Sequence, residues 1–399
     1  MQPDAAPRAL NSDLAELLRP DTGRSALDKA LASGLFYSGA LRILEKVSRV
    51  RELRRMNGSR IPRWKRVTTP KFAILCYHRV GTGGVPLYSS LPPAVFEAQM
   101  QFLRKRYRVV SLSEVVASLN DPSAEPGVAV TFDDGYRDVF HHAFPTLCRY
   151  EIPATIFLTV DGIENGEAPW YDHVFLALQV AEFDTLELEL HQPVRYSLTS
   201  PGVRFHAALD IVMRLRKLPD QQRQVCLREI KRRISTASHD LAGKMLTWEQ
   251  VLTMQQAGVH FGSHTLTHPV VSRLQTSQLE TELRDSKRLL EEKLRTPVED
   301  FAFPFGQADD CGTAPRPVLV ACGYRSAATT IWGVNERGVD PYALRRVQIG
   351  EERSLDMFAF QLNQLFLRAS DPPAGVDSPA PMAFAAPFRS AIGDAEGPR

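Results

Sequence analysis

The stretch that decides the fold is Val128-Ala129-Val130-Thr131-Phe132-Asp133-Asp134-Gly135, a short apolar run that ends in two carboxylates and a glycine. An apolar run of this length, bounded by a turn signal, predicts a buried strand of a parallel sheet. Barrel enzymes place their chemistry at the C-terminal ends of such strands. The alternative is an ordinary turn, because Asp and Gly both suit turn conformations.

A histidine pair in His264-Thr265-Leu266-Thr267-His268 supplies the second half of a candidate site. Its four-residue spacing predicts that one helical turn points both imidazoles the same way. Together with one carboxylate, two histidines form a ligand set suited to zinc, with a fourth position left open for water. On its own, such a pair is more often a surface feature of a helix.

At these residues the chain resembles the polysaccharide deacetylases, the carbohydrate esterase family that shares the homology domain of nodulation deacetylases. The TFDDG box at 131–135, the HTxxHP box at 264–269 and the segment Phe303-Pro304-Phe305-Gly306 follow one another in the family's order. The resemblance covers roughly residues 70–350. It implies an α/β fold of the distorted (β/α) TIM-like barrel type.

The resemblance also assigns roles to the acids and histidines. It implies that Asp133 is the general base, and that Asp134, His264 and His268 hold a divalent metal, for which zinc is the expected ion. This division is chemically reasonable, because one acid stays free to take a proton from a water that the metal has made more acidic.

A general acid is expected at His78. Typical family members carry this histidine near the C-terminal end of the domain, where the present chain has no Leu-x-x-His segment. Tyr77-His78 instead resembles the N-terminal Tyr-His of the permuted biofilm polyglucosamine deacetylases, which implies the same role. We expect a carboxylate or the metal complex to raise the histidine pKa from about 6.5. The alternative is a structural histidine that ends a strand.

The third family segment departs from the common Arg-x-Pro-Tyr-Gly pattern, since Ala302 stands at the arginine position and Phe305 at the tyrosine position. The backbone N–H of Phe305 can still polarise a carbonyl oxygen. Arg346, in Leu344-Arg345-Arg346-Val347, is a candidate to hold Asp133 by two hydrogen bonds in place of the missing arginine. A surface position for Arg346 is the alternative.

Aromatic residues near the acid box are candidates for substrate binding. Trp170 and Tyr171 are of the kind that stack on sugar rings, although core packing is the alternative for Trp170. Tyr136, beside the acid box, is a further candidate substrate-binding residue.

Strand and helix patterns alternate over residues 70–350, as an α/β barrel requires. The strand candidates are residues 72–77, 128–132, 154–160, 259–263, 301–305 and 324–329. Residues 173–245 interrupt this alternation with a predicted hairpin and helices that wall or cover the cleft. A C-terminal helix is predicted at 351–370, followed by a disordered Pro- and Ala-rich tail at 371–399.

Residues 1–66 form a predicted N-terminal extension with a basic amphipathic helix. Residues 42–66 contain ten Lys or Arg, so 27–66 could lie on an anionic membrane or on a lipid-linked substrate, or could pack on the barrel. No nucleic-acid partner is expected, because the segment has only Trp64 to stack on bases.

The composition, with 44% hydrophobic residues and a net charge of +2, is consistent with a soluble intracellular enzyme but does not identify one. Five cysteines without CxxC spacing argue against a disulfide framework. The chain also shows no export signal at its N-terminus. We therefore expect a cytoplasmic protein, peripheral to the inner membrane if 27–66 binds lipid.

The sequence thus predicts a metal-dependent hydrolase that removes N-acetyl groups from an amino sugar of a polysaccharide or lipid-linked saccharide. Two alternatives stay open. One is a deformylase of a lipid-linked amino sugar, which the basic segment would suit equally. The other is a non-catalytic carbohydrate-binding module, against which the complete ligand set argues.

Overall fold

A computed structural model describes residues 71–82, 90–190, 192–233, 244–350 and 354–367. The predicted N-terminal extension at 1–66 and the predicted tail at 371–399 lie outside these residues. The described chain forms an α/β barrel, which confirms the predicted fold class.

Seven parallel strands form the curled sheet at the centre of the barrel, in the order β8-β7-β6-β3-β2-β1-β9. The first three strands are fully buried apolar runs, as expected when both faces of a parallel sheet are covered. The strands are β1 (Phe72–Tyr77), β2 (Gly127–Phe132), β3 (Ala154–Leu158), β6 (His260–Ser263), β7 (Asp300–Ala302), β8 (Ser326–Ala328) and β9 (Val347–Gln348).

The two ends of the sheet are joined through the segment that leads into β9. The amide of Leu344 donates to the carbonyl of Ala327 at 2.9 Å, and the amide of Thr329 donates to the carbonyl of Leu344 at 2.8 Å. Three residues later, β9 pairs with β1 in parallel, with Val347 opposite Leu75. The same short segment therefore touches β8 on one side and β1 on the other, and so closes the ring.

Side chains alternate between the inside of the barrel and the layer of helices around it. Phe72, Ile74, Ala129 and Phe157 belong to a small cluster inside the ring. Their neighbours along the strands belong to the much larger cluster under the helices.

The helices of the barrel flank the sheet. They are α1 (Pro93–Arg106), α2 (Leu112–Ser118), α3 (Phe144–Arg149), α4 (Val160–Asn165), α8 (Trp248–Gln256), α9 (Thr276–Leu294), α10 (Ala308–Cys311), α11 (Pro315–Ala321) and α12 (Leu355–Leu367). The last of these falls inside the predicted C-terminal helix at 351–370.

A unit with its own hydrophobic core is inserted between β3 and β6. It consists of α5 (Trp170–Val180), the hairpin β4 (Thr185–Leu190) and β5 (Gln192–Ser197), α6 (Pro201–Leu215) and α7 (Asp220–Arg233). The predicted insertion at 173–245 contains the hairpin and both later helices. The structure begins the unit three residues earlier, at Trp170, where Pro169 precedes the first turn of α5.

Three predicted strands are too long at their C-terminal ends, β8 by one residue and β3 and β7 by more. β3 stops at Leu158 because Val160 begins α4. β7 stops at Ala302 because Pro304 has no amide hydrogen and Phe305 adopts a φ of 60°. The chain that leaves β7 therefore turns sharply across the open end of the barrel.

None of the helices in the described ranges combines the length and the hydropathy that crossing a lipid bilayer requires.

Candidate active site

The acid box turns sharply at the C-terminal end of β2. The amide of Asp133 donates to the carbonyl of Tyr77 at 3.0 Å, which continues the pairing with β1. Asp134 and Gly135 then adopt φ angles of 71° and 88°. This left-handed turn ends the strand and places both carboxylates, which are buried, at the open end of the barrel.

Asp133 is held by Arg346. The guanidinium Nη1 and Nη2 atoms donate to Asp133 Oδ1 and Oδ2, each at 2.7 Å, and its Nε donates to the carbonyl of Thr329 at 2.7 Å. Arg346 is completely buried, so it does not lie on the surface. Arg346 thus holds Asp133 in place of the arginine that the family pattern has at the position of Ala302. Burial alone would raise the pKa of Asp133, but the charge and hydrogen bonds of Arg346, together with the neighbouring His264 and His78, outweigh burial and lower the pKa, so the carboxylate is ionised near neutral pH.

Asp134, His264 and His268 meet around one point. His264 Nε2 and His268 Nε2 lie 3.4 Å and 3.3 Å from Asp134 Oδ1. Two donors bound to a tetrahedral zinc at about 2.0–2.1 Å are about 3.3–3.4 Å apart, so the three groups fit such an ion. Asp134 Oδ1 is buried and accepts no hydrogen bond from any described residue, which is consistent with a metal-ligand atom.

The two histidines lie on a loop after β6 and not on a helical turn, so the predicted helix at 264–268 is wrong. Thr265 and His268 adopt φ angles of 70° and 58°, which a right-handed helix excludes. The hydroxyl of Thr265 accepts a hydrogen bond from the amide of His268 at 3.0 Å and so closes the loop. The imidazoles converge through this loop geometry and not through helical periodicity.

The His264 ring is fixed by a hydrogen bond between its Nδ1 and the carbonyl of Ala302, at 2.7 Å. This leaves Nε2 to face the metal position. By contrast, His268 Nδ1 is buried and has no partner among the described residues. Burial alone would raise the pKa of Asp134, but the adjacent imidazoles of His264 and His268 outweigh burial and hold this pKa well below its ordinary value.

His78 lies just beyond β1, on the side of Asp133. A donor atom of each of Cys76, His78 and Asp133 lies within 4.8 Å of the other two. Contrary to the expected rise, the pKa of His78 is lowered, because burial outweighs the neighbouring carboxylates Asp134 and Asp133. His78 is therefore neutral near pH 7 in the resting protein.

Phe305 lies beside the metal position with its ring against His268, Trp170 and Tyr171, at centroid distances of 5.1, 5.9 and 6.0 Å. The amide of Phe305 donates to none of the described residues, so this N–H is available to a bound carbonyl oxygen. The positive φ of Phe305 is stabilised by Gly306, whose amide donates to the carbonyl of Pro304 at 2.7 Å.

Tyr136 and Tyr171 are not placed to contact a sugar. Both rings are buried, and their hydroxyls donate within the protein, to Asp172 Oδ2 at 2.8 Å and to Asp134 Oδ2 at 2.9 Å. Trp170 is half-buried, with the guanidinium of Arg223 5.4 Å from its ring centre. The structure therefore corrects the predicted substrate-binding role of both tyrosines, whereas that of Trp170 stays a prediction.

Three residues at the site were missed by the sequence reasoning. Asp172 accepts the hydroxyl of Tyr136, and burial raises its pKa to about 7. Cys76 donates its thiol to Asp133 Oδ2 at 3.4 Å. Glu282, on α9, accepts the amides of Leu266 and Thr267 at 2.8 and 3.1 Å. No local pattern points to these contacts, since each joins residues at least 15 positions apart.

The open end of the barrel thus carries a buried carboxylate and two buried histidines, and sequence comparison identifies the family. The family model for polysaccharide deacetylases matches residues 120–327, more than half of the chain. The chain belongs to the polysaccharide deacetylase family, which makes it an enzyme of the carbohydrate deacetylase class. The match spans both the acid box and the histidine box, which agrees with the resemblance seen in the sequence.

Three similar proteins share between a fifth and a quarter of their residues with this chain. The protein YxkH of Bacillus subtilis (strain 168), provisionally named as a polysaccharide deacetylase, is 23% identical over 306 residues, which cover 76% of this chain and 80% of YxkH. The Streptococcus pyogenes deacetylase PplD, solved in complex with acetate, superposes with a TM-score of 0.50 at 20% identity, over 73% of this chain and 97% of PplD. IcaB from Ammonifex degensii gives a TM-score of 0.48 at 20% identity, over 74% and 97%.

Proposed function

We propose that this protein is a metal-dependent N-deacetylase that removes acetyl groups from an amino sugar of a polysaccharide. The observation that carries the proposal is the single buried oxygen, Asp134 Oδ1, at 3.4 and 3.3 Å from the Nε2 atoms of His264 and His268. A buried carboxylate oxygen is costly unless something binds it. A cation bound by this oxygen and by the two Nε2 atoms would satisfy all three atoms.

Zinc is the proposed ion, because imidazole nitrogen and carboxylate oxygen in a three-residue set are typical of catalytic zinc sites. When bound, it would supply Lewis-acid activation of water and polarisation of the acetyl carbonyl. Asp134, His264 and His268 would hold it, with His264 oriented by the carbonyl of Ala302.

The remaining residues handle protons and charge. Asp133, ionised and fixed by Arg346, accepts the proton of the attacking water. The amide of Phe305 donates to the carbonyl oxygen as negative charge develops there. His78 is neutral at rest, so it takes a proton from solvent as that negative charge grows and delivers it to the leaving amine, and Asp133 returns its own proton to solvent when the products leave.

A non-catalytic carbohydrate-binding module would have no use for this arrangement. Binding a neutral sugar does not require a buried carboxylate that a buried arginine keeps ionised, and such an ion pair is costly to desolvate. The lipid-linked substrate, the formyl alternative, the cytoplasmic location and membrane contact through residues 27–66 stay predictions from the sequence.

The test uses purified full-length protein, stripped of metal and reloaded with zinc. We expect one zinc per chain and acetate release from N-acetylglucosamine oligomers. Asp133→Asn should keep its zinc while turnover falls at least about 10²-fold, because general-base catalysis is lost. His264→Ala should lose both zinc and activity. Full zinc content in His264→Ala, or near-normal turnover in Asp133→Asn, would contradict the assignment. Release of formate instead of acetate from lipid-linked sugars would favour the deformylase.

A further inference from the structure

Two adjacent residues of the inserted unit each contact a different group of the candidate metal site. Tyr171 donates its hydroxyl to Asp134 Oδ2 at 2.9 Å, and Trp170 donates its indole Nε1–H to the backbone carbonyl of His268 at 3.1 Å. Both residues lie in the first turn of α5. The barrel supplies the three proposed ligand residues, and this one turn of the inserted unit donates hydrogen bonds to two of them, Asp134 and His268.

The contact from Tyr171 decides which oxygen of Asp134 is left for a metal. Oδ2 is occupied by the tyrosine hydroxyl, while Oδ1 accepts no hydrogen bond from the described residues and faces both imidazoles. The carboxylate therefore presents one oxygen. Without the hydroxyl, the carboxylate could turn, and Oδ2 would become a buried acceptor with no donor.

The hydrogen bond from Trp170 helps to fix His268, whose ring is less well held than that of His264. The ring of His264 is fixed through Nδ1, but Nδ1 of His268 has no partner in the described part of the chain. Its backbone also adopts a φ of 58°, which is unfavourable for a residue with a side chain. Thr265 holds the His268 amide and Trp170 holds its carbonyl, so the peptide groups on both sides of the residue are fixed.

We infer that Trp170 and Tyr171 are positioning residues, through which the inserted unit sets the metal affinity and coordination geometry of the barrel. The inference rests on the proposed function insofar as Asp134, His264 and His268 hold the metal. It assigns the inserted unit a part in building the metal centre. Residues that orient ligands in this way typically change metal affinity about 10- to 100-fold when they are removed.

The experiment measures the zinc dissociation constant of metal-stripped, full-length protein by competition with a chromophoric chelator. Tyr171→Phe removes only the hydroxyl, and Trp170→Phe removes the indole donor but keeps an aromatic ring. Tyr196→Phe is the matched control, because Tyr196 lies in the same unit and donates to Asp210 at 2.8 Å, away from the ligands. We expect each of the two test variants to bind zinc about 10- to 100-fold more weakly, and the control to match the wild type.

Cobalt provides a second readout, which reports on geometry instead of affinity. In the cobalt-loaded protein, Tyr171→Phe should alter the visible absorption spectrum, because Asp134 is then free to change how it binds. Wild-type affinity and spectrum in both variants would overturn the inference and leave the proposed function intact. A wild-type protein that binds no zinc would instead overturn the proposed function. If Tyr171→Phe does not fold, Trp170→Phe alone decides.

Discussion

The two adjacent acids of the site differ because their neighbours differ. Asp133 has both oxygens engaged by the planar fork of Arg346, so it is charged and rigid, with the carboxylate already oriented. Asp134 has one oxygen engaged by Tyr171 and one oxygen free between two imidazoles. The first arrangement suits a group that exchanges a proton, and the second suits a group that binds a cation.

Arg346→Lys tests the importance of the planar fork. Lysine keeps the charge but cannot make two parallel hydrogen bonds to one carboxylate. We expect the variant to fold and bind zinc, while turnover falls on the order of 10²-fold because Asp133 is no longer held in place. Steady-state kinetics and zinc content provide the measurement. Arg345→Lys, at the adjacent exposed position, is the control and should behave as the wild type. Normal turnover in Arg346→Lys would show that only the charge matters.

His78→Ala tests the proposed general acid. The variant should retain zinc and substrate affinity, while amide hydrolysis slows because the leaving amine must be protonated. An activated ester has a leaving group that needs no proton, so its hydrolysis should suffer much less. Rates on both substrates are compared with those of the wild type. Equal losses on the two substrates would make His78 a structural residue.

At the residue scale, sequence reasoning found groups that lie close together in the chain. Asp133 and Asp134 are adjacent and the two histidines are four apart, so each motif is visible as a local pattern. The fork from Arg346 was only a candidate, because 213 residues separate it from Asp133. Tyr171 was expected to face a sugar, since an aromatic residue in sequence does not reveal which way its hydroxyl points.

The element that organises the histidine loop is α9. Its Glu282 accepts the amides of Leu266 and Thr267 through Oε2 and the hydroxyl of Thr267 through Oε1, at 2.8, 3.1 and 2.6 Å. One helix side chain thus satisfies three donors of a loop that has no regular structure of its own. A loop with two left-handed residues needs such external support to keep one conformation.

Glu282→Ala should loosen this loop. The variant leaves the Leu266 and Thr267 amides without their acceptor, so we expect a loss of about 2–3 kcal/mol in the free energy of unfolding. Zinc affinity should fall as well, because His264 and His268 lie at the two ends of the loop. Urea denaturation and zinc competition are the measurements. Glu280→Ala is the control, because Glu280 is a half-buried residue of the same helix that pairs only with Arg284 among the ion pairs described and does not contact the histidine loop. Unchanged stability and zinc affinity in Glu282→Ala would refute the role of the helix.

At the element scale, long apolar runs were predictable and short or strained segments were not. β1 was predicted at its observed bounds, because six consecutive apolar residues give a clear signal. β9 was missed, because two residues are too few to show any periodicity. The histidine loop was taken for a helical turn because four-residue spacing is shared by helices and by this loop, and only the positive φ angles distinguish them.

On the scale of the whole molecule, the barrel and the inserted unit are joined by buried polar contacts around the site. Tyr136 follows β2 in the barrel, and its hydroxyl bonds to Asp172 of the inserted unit. Arg216, between α6 and α7, forms an ion pair with Asp310 of the barrel and lies 5.0 Å from the ring centre of Phe305. The free energy of unfolding of the chain should therefore depend on the protonation of these buried groups.

Asp172 gives this dependence a direction. Burial, which outweighs the Tyr136 hydrogen bond, raises its pKa from 3.8 to about 7 in the folded chain. Between these pH values the folded chain holds a proton that the unfolded chain has released, so stability falls as pH rises, by at most about 1.4 kcal/mol per pH unit. Asp172→Asn should lack this fall. Urea titrations of metal-stripped wild type and variant at pH 5 to 8 provide the comparison, and parallel pH profiles would contradict the assignment.

The closure of the ring by the segment before β9 has a consequence for synthesis of the chain. β1 begins at Phe72, but the residues that pair with its outer edge begin at Val347, which is synthesised roughly 275 residues later. At about 5–20 residues per second, a ribosome leaves that edge unpaired for tens of seconds. An open strand edge is a template for pairing with other chains, so the nascent protein is most exposed to aggregation in that interval. A chaperone that shields β1 until Val347 emerges would therefore raise the yield of folded protein more than one that acts on the finished chain.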